Sequence, residues 1–338
     1  MKKIILFFIV SLMTITAGAT LAAANEVAPT CADGQVNCMP IIYLIKNNIT
    51  IDVPGNSPFG FAEHKYLYTI QDALEELNDK KIAHDIVVTI KLTQNPTSKY
   101  GTIVVDHPDG DKIHIKGDCN GNNCNLQFEE KANGLQVSDG NKLGLIDGFC
   151  FIGTADSQDN QFYGIYANNS GVIKTGESMV VHNFYNGVFA DNHSYILANK
   201  IKSTNNVHDG IIASNNSAIT FTEAAVNNNG FRGCEAAYAS NIDGSKVQAE
   251  SNGERGVAAV HSSSIKLYNA QIDNNKDDGI YSAYSSSIDL LKHIVSKNNN
   301  GHCGLRAWYN AIILCHNHPD SSCPNTKKCN SDGGLVIG

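Results

Sequence analysis

Residues 210–256 read GIIASNNSAITFTEAAVNNNGFRGCEAAYASNIDGSKVQAESNGERG. Two copies of one phrase stand in this stretch, each opened by a glycine and carrying an asparagine four residues before the next glycine. Outward from it, Gly164, Gly187, Gly210, Gly233, Gly256 and Gly279 recur every 23 residues. A fixed period of this size marks stacked units, none of which can bury its own apolar face alone.

Numbered from its glycine, each unit yields columns. Position +1 holds Ile165, Val188, Ile211, Cys234, Val257 and Ile280, and +3 holds Ala167, Ala190, Ala213, Ala236, Ala259 and Ser282. The residue between them varies freely, so one strand face is packed and the other is free. Position +9 is isoleucine in all six units, from Ile173 to Ile288, and marks a second strand. Small or apolar residues at +14 and +16, such as Val247 and Ala249, mark a third. Three short strands per turn, stacked about 4.8 Å apart, make a parallel β-helix. Asn183, Asn206, Asn229, Asn252, Asn275 and Asn298 share +19, where stacked amides can bond along the column and tolerate a left-handed turn. Glu177, Lys200, Glu223 and Lys246 alternate in sign at +13, and Asp243, Lys266 and Asp289 at +10, which pins register.

The register continues on both sides. Gly134 opens an earlier coil seven residues longer than the rest, Gly304 opens a later one, and 334–337 reads as a last strand. Ahead of the coils, Thr69 and Asp72 form a capping signal for a helix carrying Ile70, Ala73, Leu74 and Leu77 on one face. A strand from Ile86 to Leu92 follows, so the helix is expected to cover the open end of the solenoid.

Residues 1–24 read as a secretory signal peptide: Lys2 and Lys3, an apolar run, then Ala22–Ala24 for cleavage. The expected organisation is a signal peptide at 1–24, an N-terminal extension at 25–65, a cap and first coils at 66–130, and β-helix repeats over 131–338. Loss of the signal would take the net charge from −8 to −10, since it holds two lysines and no acid. An acidic chain without a basic run argues against nucleic acid as partner, and no later stretch is long and apolar enough to span a membrane. The expected location is secreted or periplasmic. Ten cysteines fit disulfides there, with Cys31–Cys38 and Cys119–Cys124 as short bridges and three pairings open among Cys303, Cys315, Cys323 and Cys329. Zinc, with His302, His316 and His318, is the alternative for the last group. Cys150 and Cys234 read as buried thiols.

The stretches YTIQDALEEL, VVTIKL, YGTIVVDHPDGDKIHIKGD and LIDGFCFIGT, followed by the coils, resemble the right-handed β-helix superfamily of pectate lyases, polygalacturonases and phage tailspikes over roughly residues 66–338. The opening is most similar to bacterial right-handed β-helix repeat proteins. The resemblance implies an all-β, right-handed helix with an extracellular, often carbohydrate-facing role. It does not supply a reaction. Of the polygalacturonase-type motifs only Asp277-Asp278 is present; the Asn-Thr-Asp, Gly-His-Gly and Arg-Ile-Lys companions are missing. The Asp-Pro-His-Asp motif of alginate epimerases is also missing, and Pro and Gly make 106–111 and 316–322 turns.

One outward face carries chemistry. Tyr238, His261 and Tyr284 share +5 with Tyr309 roughly in line; Glu235, Tyr281 and Arg306 share +2; Arg232, Arg255 and Asp278 precede their glycines; and Trp308 joins the same end. Aromatics stack on sugars, and arginine neutralises uronates. Arg232, Tyr238, Arg255, Tyr284, Arg306, Trp308 and Tyr309 are therefore the candidate substrate-binding residues. Glu235, His261, Asp278 and Tyr281 are the candidate catalytic ones, with Glu235 and Asp278 on the order of 10 Å apart as acid and base. The expected function is binding of an extracellular polysaccharide or surface glycan, adhesin-like, without metal or cofactor. The alternative is a polysaccharide lyase or glycoside hydrolase on the same face.

Overall fold

The computed structural model describes residues 43–53, 69–155, 161–292, 294–297, 303–316 and 328–337. Over the described residues the chain is a right-handed parallel β-solenoid of about ten turns, with coils of about 23 residues and one short α-helix. Among the described residues, first strands stack into one parallel sheet running from Ile103–Val105 to Lys328–Ser331. Second and third strands form the other, running from Ile49–Val53 to Leu335–Ile337. Register between coils is 23 residues, as in Ile211↔Cys234↔Val257↔Ile280. The inward columns are as the sequence predicts: positions +1, +3 and +9 are buried in all six coils. Phe128, Phe149, Phe151 and Phe184 fill the interior of the earlier coils, with Phe128 5.1 Å from Phe151 and 5.8 Å from Phe184.

Helix Ile70–Glu75 starts at the predicted capping box: Asp72 N–H donates to Thr69 Oγ1, and Thr69 N–H to Asp72 Oδ2. Ile70, Ala73 and Leu74 are buried, and the helix packs on Ile49–Val53, Val88–Leu92 and Ile103–Val105. The turn at 106–111 is structural. Buried His107 reaches Leu77 O at 2.9 Å and Lys80 O at 3.0 Å, tying the end of the helix to the first coils.

The asparagine ladder explains the glycine period. Asn206, Asn229, Asn252 and Asn275 are buried, and each of the first three donates backbone N–H and Nδ2 to the Oδ1 of the next, at 2.9–3.1 Å. A β-carbon on Gly210 would stand 2.7 Å from Asn229 Nδ2 and 2.7 Å from Gly233 O; one on Gly233 would stand 2.9 Å from Asn252 Nδ2 and 2.6 Å from Gly256 O. Close approach, not backbone angle, requires glycine there.

Asn183 is not a rung. Phe184 fills the equivalent place, its N–H donating to Asn206 Oδ1 at 3.1 Å, while Asn183 takes the left-handed conformation of Asn205, Asn228 and Asn274. The ladder residues themselves do not adopt positive φ; the preceding residue makes the turn. Asn298 lies outside the described residues. A second column was not anticipated: Ser194, Ser217, Ser240, Ser263 and Ser286 are buried, and their hydroxyls accept backbone N–H from the previous coil at 3.0–3.1 Å.

Cys119–Cys124 is bridged as predicted, and among the last four cysteines Cys303 pairs with Cys329. These disulfides point to an oxidising, extracytoplasmic location. Residues 1–24, Cys31, Cys38, His302, His318 and Cys323 lie outside the described residues. Cys234 is buried, but Cys150 faces outward, half-buried, its thiol 3.5 Å from His182 Nε2. Residues 335–337 form a strand in the second-strand sheet; Lys328–Ser331 takes the first-strand place.

Asn229→Ala removes the acceptor for two buried donors and should cost about 3 kcal/mol. Asn183→Ala, outside the ladder, should cost about 1 kcal/mol or less. Urea midpoints of the two variants check this; equal losses would contradict the ladder.

Candidate functional site

A groove of about 540 Å³ runs along the outside of the first-strand sheet, lined from His208 to Trp308. Its floor is Glu235, Ala237, Val260 and Tyr281, all outward-facing and all buried, with Ala258 and Ala283 packed among them and wholly covered. Position +2 or +4 is alanine in three successive coils, so the floor lies low between taller neighbours.

One wall is aromatic. Tyr238, His261, Tyr284 and Tyr309 stack nearly parallel, with centroids 4.8, 4.7 and 4.9 Å apart, and Trp308 stacks on Tyr309 at 4.4 Å. Position +5 is not in the strand as the alternation suggests. It is the first of two left-handed residues that turn the chain before the serine column. The turn throws these side chains to the corner of the coil, where the inter-coil spacing matches ring stacking. The faces of His261 and Tyr284 are covered by neighbours on both sides. The wall therefore offers ring edges and phenol hydroxyls.

The other wall is charged. Asp209 and Asp278 precede their glycines and are fully buried; Asp209 accepts the Arg232 N–H and Asp278 the Cys303 N–H, each at 3.0 Å. Arg232 pairs with Glu235 and lies 3.0 Å from Glu254. Arg255 lies 3.3 Å from Glu254, 3.7 Å from Asp277 and 3.8 Å from Asp278, and Arg306 lies 3.5 Å from Asp278. Arg255 covers the Tyr281 ring at 3.8 Å, and Arg306 sits 4.9 Å over Trp308.

All seven predicted binding residues thus come together around this groove or its continuation past Tyr309. The four catalytic candidates do not form one constellation. His261 is sandwiched between two tyrosines, and Tyr281 is buried under Arg255, its pKa raised by burial. Glu235 and Asp278 stand at the two ends of one chain of ion pairs that runs through Arg232, Glu254 and Arg255. Burial and Asp277 raise Asp278, with Arg306 and Arg255 opposing.

Position −2 escaped the sequence reading. Tyr185, His208 and Phe231 stack at 4.9 and 4.5 Å, extending the face toward the N-terminus, and Tyr163, Tyr166 and Phe189 cluster beyond them. Reading the columns just before each glycine across all coils would have found them. His208 Nδ1 lies 2.9 Å from Asp209 Oδ2, and Asp209 in turn neighbours Glu235. Burial works against the charge on His208, but Asp209 outweighs it and raises the pKa. Glu235 is pushed up to about 7 by burial and by Asp209, with Arg232 opposing. Among the described residues no His, Cys, Asp and Glu are grouped to hold a metal ion.

Glu235 makes stability depend on pH with a defined sign. Its carboxyl rises from an ordinary 4.5 to about 7, so the folded chain holds more protons between those values. Its contribution is full below about pH 4.5 and falls as pH rises to about 7, and raised His208 adds a fall of the same sign. Glu235→Gln should flatten the curve of denaturation midpoint against pH across that window. A variant curve parallel to the wild type would mean that Glu235 titrates normally.

The model for a right handed beta helix region matches residues 111–269 and 186–334. Curated proteins and solved structures give no match. With the coil register, the inward columns and a family match spanning residues 111 to 334, the chain belongs to the right-handed β-helix family.

Proposed function

We propose that this is an exported carbohydrate-binding β-helix, adhesin-like, whose ligand lies along the groove between the aromatic stack and the arginine wall. The observation that carries this reading is the groove itself: a low floor at Ala237 and Val260, phenol edges on one side and guanidinium groups on the other. It crosses the coils opened by Gly210 to Gly304, about 19 Å at the coil spacing, which suits a chain polymer rather than a compact metabolite. Bound sugar hydroxyls would meet the edges of Tyr238, Tyr284 and Tyr309, which are the most exposed aromatics of the wall. Export rests on the leader-like residues 1–24 and on the disulfides.

A hydrolytic reading has one observation in its favour. Glu235 faces the groove with a carboxyl pushed up to about 7 beside a second carboxylate, Asp209, which suits a general acid. Lyase chemistry is less favoured: each guanidinium faces a carboxylate, Tyr281 is buried under Arg255, and His261 presents only its ring edge.

A glycan array followed by calorimetry tests the binding reading. Tyr284→Ala and Arg255→Ala should each weaken binding about tenfold, with far-UV circular dichroism unchanged. Undiminished binding in both variants would remove this groove from consideration. A reducing-end assay on the bound glycans separates the readings: product that disappears in Glu235→Gln supports hydrolysis, and binding without product supports a binding protein.

A further inference from the structure

The wall that presents arginines also neutralises them. Arg232 is engaged by Glu235 and Glu254, Arg255 by Glu254, Asp277 and Asp278, and Arg306 by Asp278. Their planar faces are occupied too: Arg232 lies 4.4 Å over Phe231, Arg255 3.8 Å over Tyr281 and Arg306 4.9 Å over Trp308. A guanidinium recognises a carboxylate by offering two parallel N–H donors along one edge. Here Arg232 and Arg306 already meet the protein's own acids, and Arg255, whose buried Nε has no hydrogen-bond partner among the described residues, lies 3.3 to 3.8 Å from three of them.

The balance of charge leans the same way. Asp209, Glu235, Glu254, Asp277 and Asp278 stand against three guanidinium groups and His208, an excess of two negative charges with all five ionised and His208 neutral, and of one with either Glu235 or His208 protonated. A ligand acid group entering this wall would have to displace Glu235 or Asp278 from its arginine. That carboxylate would then be left buried without a counter-charge, which is costly. The remaining surfaces, phenol edges and the floor at Ala237 and Val260, carry no formal charge.

We infer that the groove is specific for uncharged glycans, neutral hexose or N-acetylhexosamine chains, and rejects polyuronates, with Glu254 and Asp277 as the residues that set this preference. The inference rests on the carbohydrate-binding reading and deepens it. It reverses the role the arginines have on sequence grounds, from uronate receptors to braces for the groove wall. Glu254 and Asp277 are each about one-fifth exposed, so they face an incoming chain while Glu235 and Asp278 remain covered.

The test uses the full protein and matched glycans that differ only in charge: polygalacturonate with its methyl ester, and cello-oligosaccharides with their C6-oxidised uronates. A chito-oligosaccharide series adds a second neutral class. The neutral member of a bound pair should bind about tenfold tighter at low salt, with the gap narrowing as salt is added. Glu254→Gln combined with Asp277→Asn should close most of that gap by strengthening uronate binding. A uronate that binds as tightly as its neutral partner, or a gap the double variant leaves intact, overturns the inference while glycan binding stands. Failure of every neutral and acidic chain to bind overturns both.

Discussion

The coils opened by Gly187, Gly210, Gly233 and Gly256 close by bringing a side-chain amide to the place where a β-carbon of the first strand would otherwise stand. Asn229 Nδ2 and Gly210, Asn252 Nδ2 and Gly233, are in this relation, and the amides bond onward to the next coil. That contact couples two residues 19 positions apart and leaves four to reach the next glycine. The period of 23 follows from it. Register and the turn to the second sheet then repeat in successive coils, and the buried serine column repeats the device at the next corner.

A constant period converts sequence offsets into columns, and the columns build the groove. Residues at +5 lie one above another at nearly the spacing of stacked rings, so four aromatic rings in line form a continuous wall. The same alignment sets arginines and carboxylates of neighbouring coils beside each other, so the opposite wall becomes a chain of ion pairs. Small residues at +4, Ser214, Ala237, Val260 and Ala283, leave the space between. Each wall is held by contacts between coils, which gives the groove a shape fixed before any ligand arrives.

The inward half of this arrangement is legible in the sequence because burial restricts chemistry: Ile at +9, Ala at +3 and Gly at the start admit few substitutes. Outward positions are less restricted, and there the reading fails in physically distinct ways. Asn183 has the right residue and offset, but coil 164 places an extra residue before it, and Phe184 takes the rung. Tyr238, Tyr284 and Tyr309 alternate like strand residues, yet two consecutive left-handed residues end the strand before them. His208 and Asp209 are invisible as a pair with Glu235 until the coils are stacked, since 26 residues separate Asp209 from Glu235. Whether an arginine is free or braced depends on side-chain geometry across coils, which no offset encodes. Here the structure changes the chemical meaning of Arg232, Arg255 and Arg306 most.

A crystal structure of the protein soaked with a neutral oligosaccharide tests the central claim most directly. The account predicts sugar density over Ala237 and Val260, between Arg255 and the Tyr284 edge, with the arginine–carboxylate pairs intact. Sugar bound on another face, or a chain that enters only by breaking the Arg255 and Arg306 pairs, would contradict it.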